Sequence, residues 1–401
     1  MTGPAPTAVF AALAAGGVEA RFVGGCVRDT ILGLAIGDLD VCTPARPELV
    51  MELAGAAGLK VVPTGIVHGT VTVVADHTPV EVTTLRRDVE TDGRRAVVAY
   101  TDDWAEDAAR RDLTLNALYL DPDGTVYDPI GQGLADARAG RIRFVGDPET
   151  RIREDVLRIL RFFRFWARFG REAPDPDCLA ACAALAERIP ALSGERVWSE
   201  VERLLVARRA VEALRLMAGA GIAARLWPGA AAVDRAVALI ALEQALGLEA
   251  DPVRRLTALI GGRGGADPAI DRLRLSRAEA ARVRRALATD GRPAVGDAER
   301  RARVYRAGGV SYLDARMLHT AAIRSAASTL MADRAVAGDW TPPSFPIGGR
   351  DVAALGVPPG PVTGRLLRAV EDAWIADDFS GDAEACRAKL AALIEQGRQQ
   401  Q

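Results

Sequence analysis

At 401 residues the chain is long enough for two or three domains of about 150 residues each, and 49% of it is hydrophobic while only 5% is aromatic, a balance that favours alanine-rich and leucine-rich helices. Lys and Arg (51) and Asp and Glu (53) nearly cancel to a net charge of −2, so any nucleic-acid partner has to be argued from local charge and not from overall basicity. No window of about 18 uninterrupted apolar residues is present, which predicts no transmembrane span and no membrane partner.

The first seventeen residues, MTGPAPTAVFAALAAGG, carry no basic residue ahead of their apolar stretch. They are therefore read as a helix stopped by Gly16 and Gly17, and not as a signal peptide. The stretch RFVGGCVRDTILGLAIGDLDVCT, Arg21 to Thr43, reads as a strand, a glycine pair, a short helix ended by Gly33, and a strand with two aspartates one residue apart. Alternation along a strand points Asp38 and Asp40 the same way, with Leu39 turned toward a core. Paired carboxylates suit a hard cation such as Mg²⁺, which takes one or two carboxylates plus substrate phosphates. Gly24 and Gly25 allow close backbone approach to a phosphate, and Arg28 adds a forked cation one turn on. Alone, DxD is often a loop pair and GG only a turn. Within one β-turn-α-β unit they predict a metal and nucleotide site.

Next, a helix is predicted over Pro47 to Gly58 and a strand over Lys60 to Val62. A hairpin, Thr70 to Val74 and Val80 to Leu85, turns at Asp76-His77-Thr78-Pro79. Glu81 is the one carboxylate on the second hairpin strand; it is read either as a third partner of the Asp38/Asp40 pair or as a solvent-facing glutamate. Arg86 to Asp103, polar and interrupted by Asp92-Gly93, is read as a mobile loop. Trp104 to Tyr119 is predicted as a helix containing RRDLTLNALYL. It sets Asp112 and Asn116 on one face, suited to a ribose hydroxyl, with Arg111 in reach of phosphate. A β-like segment over Gly124 to Asp128 and a turn-rich stretch close the first domain near Gly146-Asp147-Pro148.

From there the pattern turns helical. Ile152 to Phe169 buries Val156, Ile159, Leu160, Phe163 and Ala167 on one face and sets Arg158, Arg161, Arg164 and Arg168 on the other. Asp155 and Arg158, one turn apart, can offer an acceptor and donors to the edge of cytosine or adenine; an ordinary ion pair is the plainer alternative. The remaining arginines suit a triphosphate or an RNA backbone. Further helices are expected over Glu195–Ala207, Val211–Ala218, Ala230–Leu248, Val253–Ile260, Arg277–Thr289 and Ala298–Tyr305. The run RLRLSRAEAARVRRALA is read as an RNA contact or as solvated helix faces. A Pro/Gly turn near Gly360 to Gly364 separates two helices of the tail. Five cysteines without CxxC spacing suit a reducing cytoplasm, and His68, His77 and His319 form no metal or hydrolase motif.

GGCVRDTILG, GDLDVCT, RRDLTLNALYL and EDVLRILRFFRF occur in the order and near the spacing of the motifs of the class II tRNA nucleotidyltransferase and poly(A) polymerase family. FPIGGRDVAALGVPPGP resembles the tail of that family's bacterial CCA-adding members. The resemblance implies an α+β fold. A nucleotidyltransferase head related to DNA polymerase beta, with a mixed sheet (1–146), precedes an all-α neck holding the base template (147–225) and a helical body and tail that bind tRNA (226–401). It further implies that Asp38 and Asp40 hold Mg²⁺, with Glu81 a candidate third catalytic carboxylate suggested by its strand position alone. Gly24, Gly25, Arg28, Arg111, Asp112, Asp155, Arg158, Arg161 and Arg164 would bind the nucleotide, Asp155 and Arg158 reading the base. The loop around Arg87, Asp88, Asp92, Gly93 and Arg94 resembles the flexible element needed for adding A. The implied activity is Mg²⁺-dependent addition of C, C and A to tRNA 3′ ends from CTP and ATP. Poly(A) polymerase, an A-adding enzyme and a catalytically silent RNA-binding module are the alternatives.

Overall fold

The computed structural model describes residues 1, 3–92, 95–226 and 233–399, with side chains described except at 88–92, 95–98 and 399. Contacts divide the chain into two units, Met1–Ala231 with Arg272–Arg274, and Ala232–Asp271 with Leu275–Gln401.

In the first unit α1 (Pro4–Ala15) leads into β1 (Arg21–Val23), α2 (Gly25–Ile31) and β2 (Leu39–Thr43), as the opening motif predicts. Gly24 has φ +72°, a conformation that L side chains rarely adopt, and this is what lets β1 turn directly into α2. Beyond α3 (Pro47–Ala56) and β3 (Lys60–Gly65), β4 (Thr70–Ala75) and β5 (Thr78–Thr84) form the expected hairpin. Its loop is only Asp76-His77, both at positive φ, which is the two-residue turn that matches strand twist. Val71, Val73, Val80 and Val82 are fully buried. Alternation on β4 and β5 therefore fixes which face meets α1 and α3.

Arg86 to Asp103 is not a loop throughout. β6 (Arg86–Asp92) and β7 (Arg95–Tyr100) form a separate two-stranded antiparallel sheet. Asp-Gly between two strand-capable runs is a hairpin signal that the polar composition masked. Gly93 and Arg94 lie outside the described residues, as do the side chains of Asp88 and Asp92.

The helix expected over Trp104 to Tyr119 is shorter. α4 (Trp104–Ala109) ends at Arg110, and a strand, β8 (Tyr119–Leu120), follows a single 3-10 turn over Thr114–Asn116. Leu113 is extended and bridges Phe144, while the amides of Thr114 and Val145 donate to the carbonyls of Arg143 and Asp112, both at 3.0 Å. Tertiary pairing there overrides the helical period. With β9 (Val126–Tyr127) the main sheet has seven strands in the order β3-β4-β5-β2-β1-β8-β9, and only β2 and β5 run parallel. The turn-rich stretch before Pro148 contains a helix that its composition hid, α5 (Gly133–Ala139).

The helix expected over Ile152 to Phe169 is broken into α6 (Pro148–Glu154) and α7 (Leu157–Phe169) by an extended Asp155, φ −150° and ψ 106°. The Asp155 carboxylate accepts from the Leu157 amide at 3.1 Å, a local bond that competes with helix continuation. α8 (Pro176–Ala184), α9 (Gly194–Leu205), α10 (Ala210–Gly219) and α11 (Ala223–Leu226) complete the unit, with Phe162, Phe163 and Val197 fully buried.

The second unit is helical: α12 (Val233–Ala245), α13 (Pro252–Ile260), α14 (Arg263–Leu273), α15 (Arg277–Ala288), α16 (Asp297–Ala307), α17 (Gly309–Ala322), α18 (Met331–Asp339), α19 (Gly349–Ala354), α20 (Pro361–Ala376) and α21 (Ala383–Gln399). Residues 230–232 of the expected Ala230–Leu248 helix lie outside the described residues. RLRLSRAEAARVRRALA is divided where Arg274 takes φ +54° and Ser276 opens α15 with a capping box to Glu279. On α15, Arg282 is bound by Asp251 and Asp314 and Arg284 by Asp267, so part of this basic run is already neutralised within the fold. No helix among the described residues is long and apolar enough to cross a membrane.

Candidate active site

The carboxylates come first. Asp38 occupies the bend just before β2 and is exposed; Asp40, on the strand, is half-buried. Parallel pairing sets Asp40 opposite Glu81, between the fully buried Val41–Val82 pair and the Leu39–Val80 pair, of which Val80 is fully buried. Cross-strand partners share a face, so the Glu81 carboxylate joins the two aspartates. Burial, then Glu81, then Asp38 push the Asp40 carboxyl up to about 6, with Arg111 opposing. Crowded negative charge of this kind is relieved by a cation. Among the described residues no three His, Cys, Asp or Glu form a ready cage for a metal ion. An ion held by two carboxylates, with the remaining ligands from phosphate and water, is the pattern that Mg²⁺ favours, and Asp38 and Asp40 fit it.

Gly24 and Arg111, both expected at the phosphate, lie side by side. A Cβ on Gly24 would stand 3.7 Å from Arg111 Nη1, so the glycine turn and the guanidinium face each other. Arg111 Nη2 and Nε donate to Asp107 Oδ2 at 2.8 and 3.2 Å, and the Tyr119 hydroxyl donates to the same oxygen at 2.7 Å. Burial raises the pKa of Asp107, but Arg111 and Arg110 outweigh it and hold the carboxyl well below its usual range. Gly25 is half-buried at the start of α2. Arg28, read as a forked cation for the nucleotide, has protein partners. It is buried over the Phe169 ring at 4.3 Å, and its Nη1 donates to Asn116 Oδ1 at 2.7 Å.

From Asn116 a polar chain runs to α7 and α9. Asn116 Nδ2 donates to Asp112 Oδ1 at 3.2 Å, and Arg161 Nε donates to Asp112 Oδ2 at 2.6 Å. Arg161 also reaches Glu200 Oε1 at 3.5 Å, and the second Glu200 oxygen accepts from Arg164. Burial raises Asp112, yet Arg161 and the bonds from Asn116 and Leu113 bring it down to about 2. Arg164 is buried instead of lining an open face.

Asp155 and Arg158 do not form the helical i,i+3 pair. Asp155 lies outside α7 and accepts from Arg196 Nη2 at 2.6 Å. Arg158 is held by Glu154 and by the carbonyls of Arg151 and Arg110 at 3.0 and 3.1 Å. Through Arg110 this cluster meets the one around Asp107, since Arg110 Nη2 donates to Asp107 Oδ1 at 2.7 Å. Thus Asp107, Glu154, Arg196 and Glu200 are partners of the site that the sequence reading did not assign. The signals were available: Asp107 stands four residues before Arg111, and GERVWSE in α9 places Arg196 and Glu200 one turn apart.

Residues 20–143 match the poly(A) polymerase head domain, and residues 173–233 match a domain described as the probable RNA and SrmB-binding site of polymerase A. The Bacillus stearothermophilus CCA-adding enzyme, solved in complex with CTP, is 30% identical with a TM-score of 0.78, over 98% of this chain and 96% of that one. The chain belongs to the tRNA nucleotidyltransferase and poly(A) polymerase family. In this chain the Asp38 to Asp112 elements fall inside the matched head, while α7 lies between the two matched stretches. It is also 43% identical over 208 residues to the mitochondrial CCA tRNA nucleotidyltransferase 1 of Danio rerio, covering 51% of this chain and 48% of that protein. The CCA-adding enzyme of Geobacillus thermodenitrificans is 41% identical over 217 residues, 54% and 52% of the two chains. The matched stretch thus spans about half the length of these two relatives. The Thermotoga maritima CCA-adding enzyme, solved with tRNA, shares the fold at a TM-score of 0.66 and 18% identity, over 96% and 94% of the two chains.

Proposed function

We propose that this chain extends the 3′ end of tRNA with C, C and A, taking the nucleotides from CTP and ATP. The reading is carried by the crowded Asp38/Asp40 pair, with Arg111 and the Gly24 turn near it, on a chain resembling nearly end to end a CCA-adding enzyme solved with CTP. The second of the similar structures, a CCA-adding enzyme solved with tRNA, supports tRNA as the acceptor class.

Asp38 and Asp40 would hold Mg²⁺, and Glu81 supports the same charge cluster from β5. When bound, the ion supplies Lewis-acid activation of the attacking hydroxyl and neutralisation of the leaving pyrophosphate. Gly24 and Gly25 admit the triphosphate close to the backbone, and Arg111 contacts it. Arg28 acts from beneath, orienting Asn116 and through it Asp112 toward the ribose. Arg161 and Arg164 hold that wall through Glu200. Asp155 accepts from the exocyclic amine of cytosine or adenine while retaining Arg196, because a carboxylate has about four acceptor directions. Arg158 gives Nη1 to Arg151 and Glu154 and one N–H of Nη2 to Arg110, which among the described residues leaves Nε and the rest of Nη2 for the base. Uracil and guanine present the opposite pattern on that edge. The five buried free thiols support a reducing, cytoplasmic setting.

The test is incorporation of labelled CTP and ATP with Mg²⁺ into tRNA transcripts lacking CCA or ending in C or CC, beside an unrelated RNA. Stepwise C, C, A addition confined to tRNA is expected. Long A tails on the unrelated RNA, A addition only to CC-ended tRNA, or no incorporation at all would each replace this reading with a different one.

A further inference from the structure

Asp107 is the most connected carboxylate near the candidate site, and both of its oxygens are occupied by protein donors. Its side chain is fully buried. One oxygen, Oδ2, takes Arg111 Nη2, Arg111 Nε and the Tyr119 hydroxyl; the other takes Arg110 Nη2 and Nε at 2.7 and 2.9 Å and the Arg86 amide at 3.3 Å. Arg110 Nε also donates to the Arg86 carbonyl at 2.9 Å, so the same carboxylate ties down the first residue of β6. Arg111 Nη2 additionally lies 3.5 Å from Cys42 Sγ. Its third nitrogen, Nη1, has no protein acceptor among the described residues and is the atom that faces Gly24. Two nitrogens of the guanidinium are thus committed to the fold and the remaining one is presented to the glycine turn.

We infer that Asp107 is a positioning residue for the nucleotide: it clamps Arg111 from behind so that Nη1 is aimed at the triphosphate before the substrate arrives. This rests on the reading of Arg111 as a phosphate contact. A planar guanidinium gripped along its Nε/Nη2 edge keeps one orientation, and fixing it in advance removes an ordering cost that binding would otherwise carry.

The test is a double-mutant cycle on the full chain, with CTP affinity in Mg²⁺ measured by calorimetry, KM and kcat by single-nucleotide addition, and folding by circular dichroism. Asp107→Asn puts an amide in place of an acceptor; CTP affinity is expected to fall about tenfold, the fall appearing in KM more than in kcat. In an Arg111→Ala background the same change should cost less than about twofold, because the clamp has nothing left to hold. Asp107→Glu keeps the carboxylate and should retain more affinity than Asp107→Asn; if the latter does not fold, it carries the cycle. Equal losses in both backgrounds, no loss in the first, or loss of fold in both variants would overturn the inference. If Arg111→Ala alone leaves CTP affinity unchanged, the phosphate role of Arg111 fails, and the inference with it.

Discussion

Replacing Glu200 by Gln removes one charge from a carboxylate that bridges Arg161 and Arg164 where α7 packs on α9. Glu200 is 5% exposed and Arg164 7%, so the guanidinium left behind has little water to turn to. Burial already lowers the Arg164 pKa, and Glu200 is the main influence opposing that. Removing one member of a buried pair costs about 3–5 kcal/mol. Glutamine keeps one acceptor oxygen and Arg161 keeps Asp112, which brings the expected loss to about 2–3 kcal/mol. Urea unfolding read by tryptophan fluorescence suits the measurement, since Trp166 sits on α7 and Trp198 on α9. The midpoint should fall by about 1 M. Adding Arg164→Met removes the orphaned charge and should recover most of the loss, because a buried pair exchanged for apolar groups is often nearly neutral. A loss under about 1 kcal/mol, or one that Arg164→Met leaves unchanged, would refute the claim that this pair fastens α7 to α9.

Asp38→Ala and Asp40→Ala should each lower nucleotide incorporation at least about a hundredfold while filter binding of tRNA stays as before; near-normal incorporation would remove both from the chemistry. Arg158→Ala should erode the preference for CTP and ATP over UTP and GTP by about tenfold or more in competitive incorporation, and unchanged discrimination would count against base reading. Asp112 has its carboxyl lowered to about 2, so its pairing stabilises the fold fully above the ordinary carboxylate pKa near 4 and is lost as pH falls from there through about 2. Asp112→Asn should therefore cost roughly 2 kcal/mol at pH 6 and progressively less toward pH 2 in denaturant titrations. A cost that does not change with pH would show that the charge is not what matters.

Much of the site was legible because its motifs are local. β1, the glycine turn, α2 and β2 follow from strand alternation and from a residue type that tolerates φ +72° at Gly24. The β4–β5 hairpin was legible for the same reason, its valines alternating into the core. The segment from Arg110 to Leu120 was misread, since its helical spacing loses to pairing with residues 143–145, a contact that no local window contains. Asp155 was placed on a helix by a period that continues unbroken through it; its own side chain, bonded to the Leu157 amide, ends that helix instead.

By itself, then, the amino-acid order pointed to the groups of the candidate site: the two aspartates, the glycine pair, the RRD run and Arg158, Arg161 and Arg164 of α7. Tertiary structure decided what each one touches. It buried Arg28 and Arg164, gave Asp155 to Arg196 and Arg158 to Glu154, and made Asp107 and Glu200 carboxylates that each hold two arginines. The physical reason is range. Backbone preference and side-chain period act over a few residues, whereas the partner of a buried charge is chosen by desolvation among groups as far apart as Asp112 and Arg161, which meet only once the chain has folded.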